Sequence, residues 1–301
     1  MRKSENKIKS RGIDLVFDIS VYVILTGVLF IILYPLYLIL IASISEPNAV
    51  YAGEVRFLPI GFTLLGYQKI FQEGKIWIGY RNTIIYTVLG TTLNVLLTMM
   101  AAYPLSRKSF KPRTQIMVFF LVTMYIGGGL IPTYLLLSEL KLVNNPLVMI
   151  VTGAVTVWNL IITRTYYQST IPEELYEAAA MDGGSHFHFF LKVALPLSKA
   201  IVAVNVLYYG VGHWNEFFTA LIYLRNPNYY PLQLVIRSIL IQNTVNPDEL
   251  KDLSILSEDY QKVVELMKFS TIIVSSFPVL MLYPFLQKYF VAGVTVGAIK
   301  G

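Results

Sequence analysis

Two short stretches concentrate the residue types that could do chemistry. The first runs Glu173-Glu174-Leu175-Tyr176-Glu177-Ala178-Ala179-Ala180-Met181-Asp182-Gly183-Gly184 and sets carboxylates around a run of alanines. Paired carboxylates can act as general acid and base. Acids gathered at a helix start also favour the helix dipole, which explains them without any reaction. The second stretch is His213-Trp214-Asn215-Glu216, set between apolar runs. Trp214 offers a flat apolar face, while Asn215 and Glu216 offer partners for hydroxyl groups, so together they could hold a polyhydroxylated ring. An interfacial anchor explains the same residues, with Trp214 at a membrane boundary and Glu216 solvated. On a helix His213 and Glu216 share a face and Asn215 points elsewhere. Asn94 and Asn159, inside other apolar segments, are further pathway candidates or hydrogen-bond partners between helices.

Other chemistry is excluded. The phosphate-cradling string G-x-x-x-x-G-K-[ST] is absent, as are H-E-x-x-H and a serine nucleophile elbow. With no cysteine there is no thiolate chemistry, disulfide or Cys-ligated zinc. His186, His188 and His213 are too scattered for a metal cluster. No catalytic residue and no metal site are expected.

Residues 170–196 must position the acidic stretch. Thr170-Ile171-Pro172-Glu173 fits a capping box with Thr170 as N-cap. The helix after it should stop at Gly183-Gly184. Ser185 can cap a second short helix, which Pro196 bends or ends. The result is an elbow with a small-residue face that admits a close partner.

The spacing within this elbow is specific. Glu177-Ala178-Ala179, three residues, Gly183, nine residues, Val193, one residue, Leu195-Pro196 resembles the EAA loop of ABC importer permeases, with Val193 in place of Ile. The resemblance implies a coupling helix seated in a cleft of a cytoplasmic ATPase subunit. Glu177, Ala178, Ala179, Asp182, Gly183, Leu195 and Pro196 would make that contact. Phe57 to Phe71 resembles the external loop after the first helix of sugar importer permeases, and GGGLIPTYLL resembles their oligosaccharide branch. These resemblances imply an all-α, six-helix type I importer permease in a bacterial or archaeal cytoplasmic membrane. Its partners would be a second permease subunit, two ATPase subunits that use ATP and Mg2+, and an external substrate-binding protein. This chain itself would bind no cofactor. In maltose-type permeases the matching subunit inserts its tail between the ATPase subunits, which points to Gly293 and Gly297 as tail contacts.

Composition agrees with a membrane protein. Of 301 residues, 55% are hydrophobic and only 14% charged, far from the quarter usual in soluble domains. The net charge of +6 follows membrane topology rather than nucleic acid, because bases cluster beside apolar runs. Arg2, Lys3, Lys7, Lys9 and Arg11 precede a first span at about 16–44, too long for a signal peptide. Further spans are expected at about 82–102, 115–137, 147–163, 197–221 and 269–290, each long enough for a bilayer. The Gly127-Gly128-Gly129 triplet fits close helix packing or local unwinding. Arg107, Lys108, Lys111 and Arg113 form a turn expected in the cytoplasm. Residues 222–267, with six acids against four bases, are expected outside, with an amphipathic helix over Leu232–Ile241. The chain reads as one transmembrane domain, residues 1–301, with both termini inside. The competing class is a self-sufficient secondary transporter driven by an ion gradient. It would show inverted halves and charged residues within several helices, and neither is visible.

Overall fold

The computed structural model describes residues 12–242 and 257–298, and every regular element among them is a helix. The N-terminal basic cluster, Asp252 of the expected external loop and Lys300 lie outside the described residues. The chain forms two compact units, Met1–Gln72 with Val245–Val274 and Glu73–Thr244 with Ser275–Gly301.

The first unit begins with α1 (Gly12–Ser43), which continues through Pro35. Its apolar side chains are exposed on nearly every face, a surface that water opposes and lipid accepts. The segment after it contains two short helices, α2 (Pro47–Tyr51) and α3 (Leu65–Gln72). Ile41, Ala42, Ala49, Val50 and Val55 bury together with Leu266. Close approach is required at Gly66, where a Cβ would fall 2.3 Å from Ser270 Oγ.

The second unit is built on α4 (Gly74–Ser106), which is longer at both ends than the expected span. Where one third helix was expected, α5 (Arg113–Tyr125) and α6 (Leu130–Glu139) meet at an angle of 114°. The glycine triplet is the cause. Gly129 has φ +83°, and a Cβ at Gly127 or Gly128 would meet nothing within 4 Å. Within this chain the glycines therefore unwind the backbone rather than seat another of its helices. The fourth expected helix is also two pieces, α7 (Val148–Val151) and α8 (Val157–Thr170), parted around Gly153 at φ +70°.

Next come α9 (Glu173–Met181), α10 (His186–Phe189), a π-helical turn at Phe190–Ala194 and α11 (Leu195–Leu197). The chain bends by 80° into α12 (Lys199–Asn215). The expected fifth span breaks again before α13 (Phe218–Tyr223), and α14 (Leu232–Gln242) occupies the stretch read as amphipathic. The last helix, α15 (Ser257–Ala298), starts well before Phe269 and runs unbroken through Pro278 and Pro284. Neighbouring groups can satisfy the carbonyls that such prolines free within a membrane. Among the described residues three helices are long and apolar enough to cross a bilayer alone, or five if each bent pair is one span.

Candidate functional site

The acidic stretch folds into the expected elbow, with one change at its entry. Thr170 is the last residue of α8 rather than an N-cap, and α9 opens from Pro172 without a side-chain cap. Glu173 is engaged elsewhere: its carboxylate accepts from Arg107 Nη2 at 3.0 Å. An ion pair to a guanidinium outcompetes a neutral capping bond. The exit is as expected. Gly183 sits at φ +77°, with its N–H on the Ala180 carbonyl (3.0 Å) and the Gly184 N–H on the Ala179 carbonyl (2.8 Å). These two bonds form a Schellman motif that only a residue free to adopt left-handed backbone closes cheaply. Ser185 Oγ then accepts from the His188 N–H and starts α10.

The elbow is braced from inside. Arg107, 5% exposed, lies over the Tyr176 ring at 4.3 Å and near Tyr103 and Phe189. Tyr176 stacks on His186 and hydrogen-bonds its Nε2 at 2.9 Å, and its edge meets Phe189. Phe189 and Ala194 are wholly buried in a core shared with Met99, Ala102, Leu160 and Tyr167. Ala179 and Leu195 pack against that core, while Glu177, Ala178, Asp182 and Pro196 face outward. Met181 is 88% exposed, with Leu175 and Phe187 exposed nearby. A rigid elbow thus presents an apolar face edged by carboxylates.

A second arrangement runs between α4, α8 and α12. Asn94 Nδ2 donates to His213 Nε2 (3.1 Å), and Gly90 makes room for that imidazole. Thr98 Oγ1 and Tyr209 Oη are 2.7 Å apart, and the Thr156 N–H donates to the same phenol. Asn205, fully buried, donates to Thr163 Oγ1 at 2.8 Å. The result is a seam of polar groups within apolar helices, most of them paired as low-dielectric surroundings demand, with Asn94 Oδ1 and Asn205 Oδ1 left without partners.

The remaining expected site residues are placed as follows. Asn159 is buried at the start of α8, where its backbone N–H donates to Thr156 Oγ1 at 3.4 Å. Trp214 is buried, its indole N–H donating to the Ser275 carbonyl (3.1 Å), and it lines a cavity of about 550 Å³ with Thr87, Thr91, Val95 and Gly210. Asn215 is exposed and bonds back to Val211. Glu216 accepts from the Thr219 N–H at 2.9 Å across the break between α12 and α13. Trp214, Asn215 and Glu216 therefore point to three separate surroundings. Gly293 and Gly297 lie in the last turns of α15.

Residues 9–296 match the family described as binding-protein-dependent transport system inner membrane components. The chain belongs to this family. It is 34% identical over 290 residues to Protein LplC of Bacillus subtilis, covering 95% of each chain. It is 32% identical to the polygalacturonan/rhamnogalacturonan transport system permease protein YtcP of the same organism, covering 95% of this chain and 98% of that one. A solved bacterial ABC transporter involved in import of the acidic polysaccharide alginate contains a chain of the same fold. The TM-score there is 0.85 at 30% identity, over 94% of this chain and 100% of that chain.

Membership makes this a multi-pass ABC importer permease and sets aside the secondary transporter. In a permease of this kind the bracing groups matter as much as the exposed ones, and two sets went unrecognised in the sequence. Arg107 read only as one base in a cytoplasmic turn, though its place directly after an apolar span hinted at a buried partner. Asn205 and Tyr209 read as ordinary residues of a span. Their spacing with His213, four apart each time, was the available signal for a single polar face.

Proposed function

We propose that this chain is the translocation subunit of an ATP-driven importer of sugar chains, formed as a single transmembrane domain with the α9–α10 elbow as its contact to an ATPase subunit. The observation that carries the coupling role is the braced elbow. Its inner side is fixed by Arg107, Tyr176 and Phe189, while Leu175, Ala178 and Met181 stay uncovered beside Glu177 and Asp182. A soluble surface rarely leaves such a face open without a partner. Sugar chains are supported by the names of similar proteins, among them those for polygalacturonan/rhamnogalacturonan and for alginate.

The assembly has a second permease subunit, a pair of ATPase subunits carrying ATP and Mg2+, and an external binding protein. Both termini are cytoplasmic. The helical end of α15, with Gly293 and Gly297, reaches the ATPase pair, a reading favoured by its unbroken course to Ala298. For the sugar path, the cavity against Trp214 offers a largely apolar wall that includes Thr87 and Thr91. Asn94, Asn159, Asn215 and Glu216 stay candidates along the same route.

The test is reconstitution of the assembled transporter with Gly183→Leu and Glu177→Lys. Leucine at φ +77° strains the elbow exit, and lysine reverses the charge at its rim. Both variants should insert and assemble yet lose substrate-stimulated ATP hydrolysis and uptake together. Parental stimulation in both would reject the coupling role of the elbow.

A further inference from the structure

A cavity of about 460 Å³ opens between the end of α4 and the elbow. We infer that it binds one anionic phospholipid of the cytoplasmic leaflet, with the headgroup at the basic turn after α4 and an acyl chain against the elbow's aromatic rings. The inference rests on the proposed cytoplasmic placement of the elbow.

Three observations carry it. First, the cavity lies at the boundary of an apolar span: its wall runs from Met100 and Tyr103 inside α4 to Ser109 and Phe110 just beyond its end at Ser106. That is the depth at which headgroups begin. Second, the lining is divided by chemistry. Met100, Pro104, Phe110, Phe187 and Phe190 supply hydrocarbon and rings, while Arg107, Ser109 and His186 supply polar groups. A free sugar or phosphate would leave the apolar part wet, and an apolar side chain would leave the polar lining and the neighbouring lysines unmatched. An amphiphile satisfies both. Third, the charge balance is one-sided. Lys108 and Lys111 are exposed beside Arg107 and Arg113, and the acid held here, Glu173, is already paired with Arg107. Arg107 and Tyr103, both more than nine-tenths buried, form the floor between these lysines and the apolar lining.

Anionic lipid gains from each cation near the headgroup and from each methylene placed on the aromatic wall. Because Phe187 and Phe190 belong to the elbow, occupancy would also stiffen the coupling element.

The assembled transporter, in nanodiscs of phosphatidylcholine with or without phosphatidylglycerol of the same acyl chains, provides the test. Native mass spectrometry counts the lipids that each complex retains. Parent complex should prefer phosphatidylglycerol about tenfold, equivalent to about 1.4 kcal/mol. Ser109→Trp, which fills the cavity, should abolish the preference. Lys108→Gln with Lys111→Gln, both exposed, should reduce it and stands in if the tryptophan variant does not assemble. Equal retention of both lipids by the parent, or unchanged preference in the variants, overturns the inference. A parent that retains neither lipid also overturns it. Lipid retention is read without ATP, so it fails or succeeds independently of Gly183→Leu, which tests the coupling role.

Discussion

Replacing Arg107 should loosen the elbow while leaving the membrane core intact. Its guanidinium has a side-chain exposure of 6%, and it makes the 3.0 Å pair with Glu173 and stacks over Tyr176 at 4.3 Å. Glu173 is 33% exposed, so its carboxylate rehydrates when the arginine is lost, which holds the pair to about 1 kcal/mol or less. The partly desolvated stacking adds about 1–2 kcal/mol. Together Arg107→Leu should cost the elbow about 2–3 kcal/mol, which raises local opening about 30- to 150-fold. Arg107→Lys keeps the charge but not the flat guanidinium, so about tenfold is expected. Glu173→Gln removes the pair alone and should give about fivefold.

Hydrogen exchange reads these openings directly, because amides within one cooperative unit report its opening free energy. The amides of residues 173–190 should speed up in the order Glu173→Gln, Arg107→Lys, Arg107→Leu. Those in the middle of α4 should not change. Unaltered exchange at the elbow in Arg107→Leu would refute the bracing. Equal acceleration in α4 would mean instead that Arg107 holds the whole unit.

Three further outcomes are expected. Glu216→Ala should lower thermal stability by about 1 kcal/mol, through loss of the bond to the Thr219 N–H, while Glu216→Gln keeps an acceptor and stays near the parent; sugar uptake lost in both variants, with the glutamine variant as stable as the parent, would make the charge a pathway group. Gly90→Ala would put a Cβ 2.4 Å from His213 Nε2 and should destabilise by about 1–3 kcal/mol, whereas Gly27→Ala, open on every side, should not; indistinguishable melting of the two disproves the tight seam. Single cysteines at 108 and 177 should be shielded from an impermeant reagent in sealed cells and one at 54 should react, and external labelling at 177 would invert the topology.

The elbow was legible because its signals are local. A left-handed glycine, a serine cap and an acid-rich first turn act within a few residues, so Gly183, Ser185 and Glu173 announce themselves in sequence. Even there the entry was misread, since Glu173 has a partner sixty-six residues away that no local pattern contains. The spans were legible as apolar runs but not as shapes. Hydropathy averages over a window and cannot register that Gly129 and Gly153 turn the backbone within it, or that Glu216 bridges a break. Neither reading of Trp214, as a stacking face or as an interfacial anchor, contains the indole bond to the Ser275 carbonyl, again a contact distant in sequence.

The broken helices and the polar seam have a common physical basis. A helix interrupted inside a membrane frees carbonyls and N–H groups that lipid cannot satisfy, so breaks survive only where other protein groups reach them. The Thr156 N–H, at the start of α8 after such a break, is met by Tyr209 Oη from α12. Tyr209 in turn lies in the same buried core as Phe189 and Ala194 of the elbow and Tyr103 beside Arg107. Close-packed side chains transmit displacement instead of absorbing it. Under the proposed coupling role, a partner that pushes on α9 would act through this core on the groups that hold the start of α8, and the 80° bend before Lys199 would turn that push across the axis of α12.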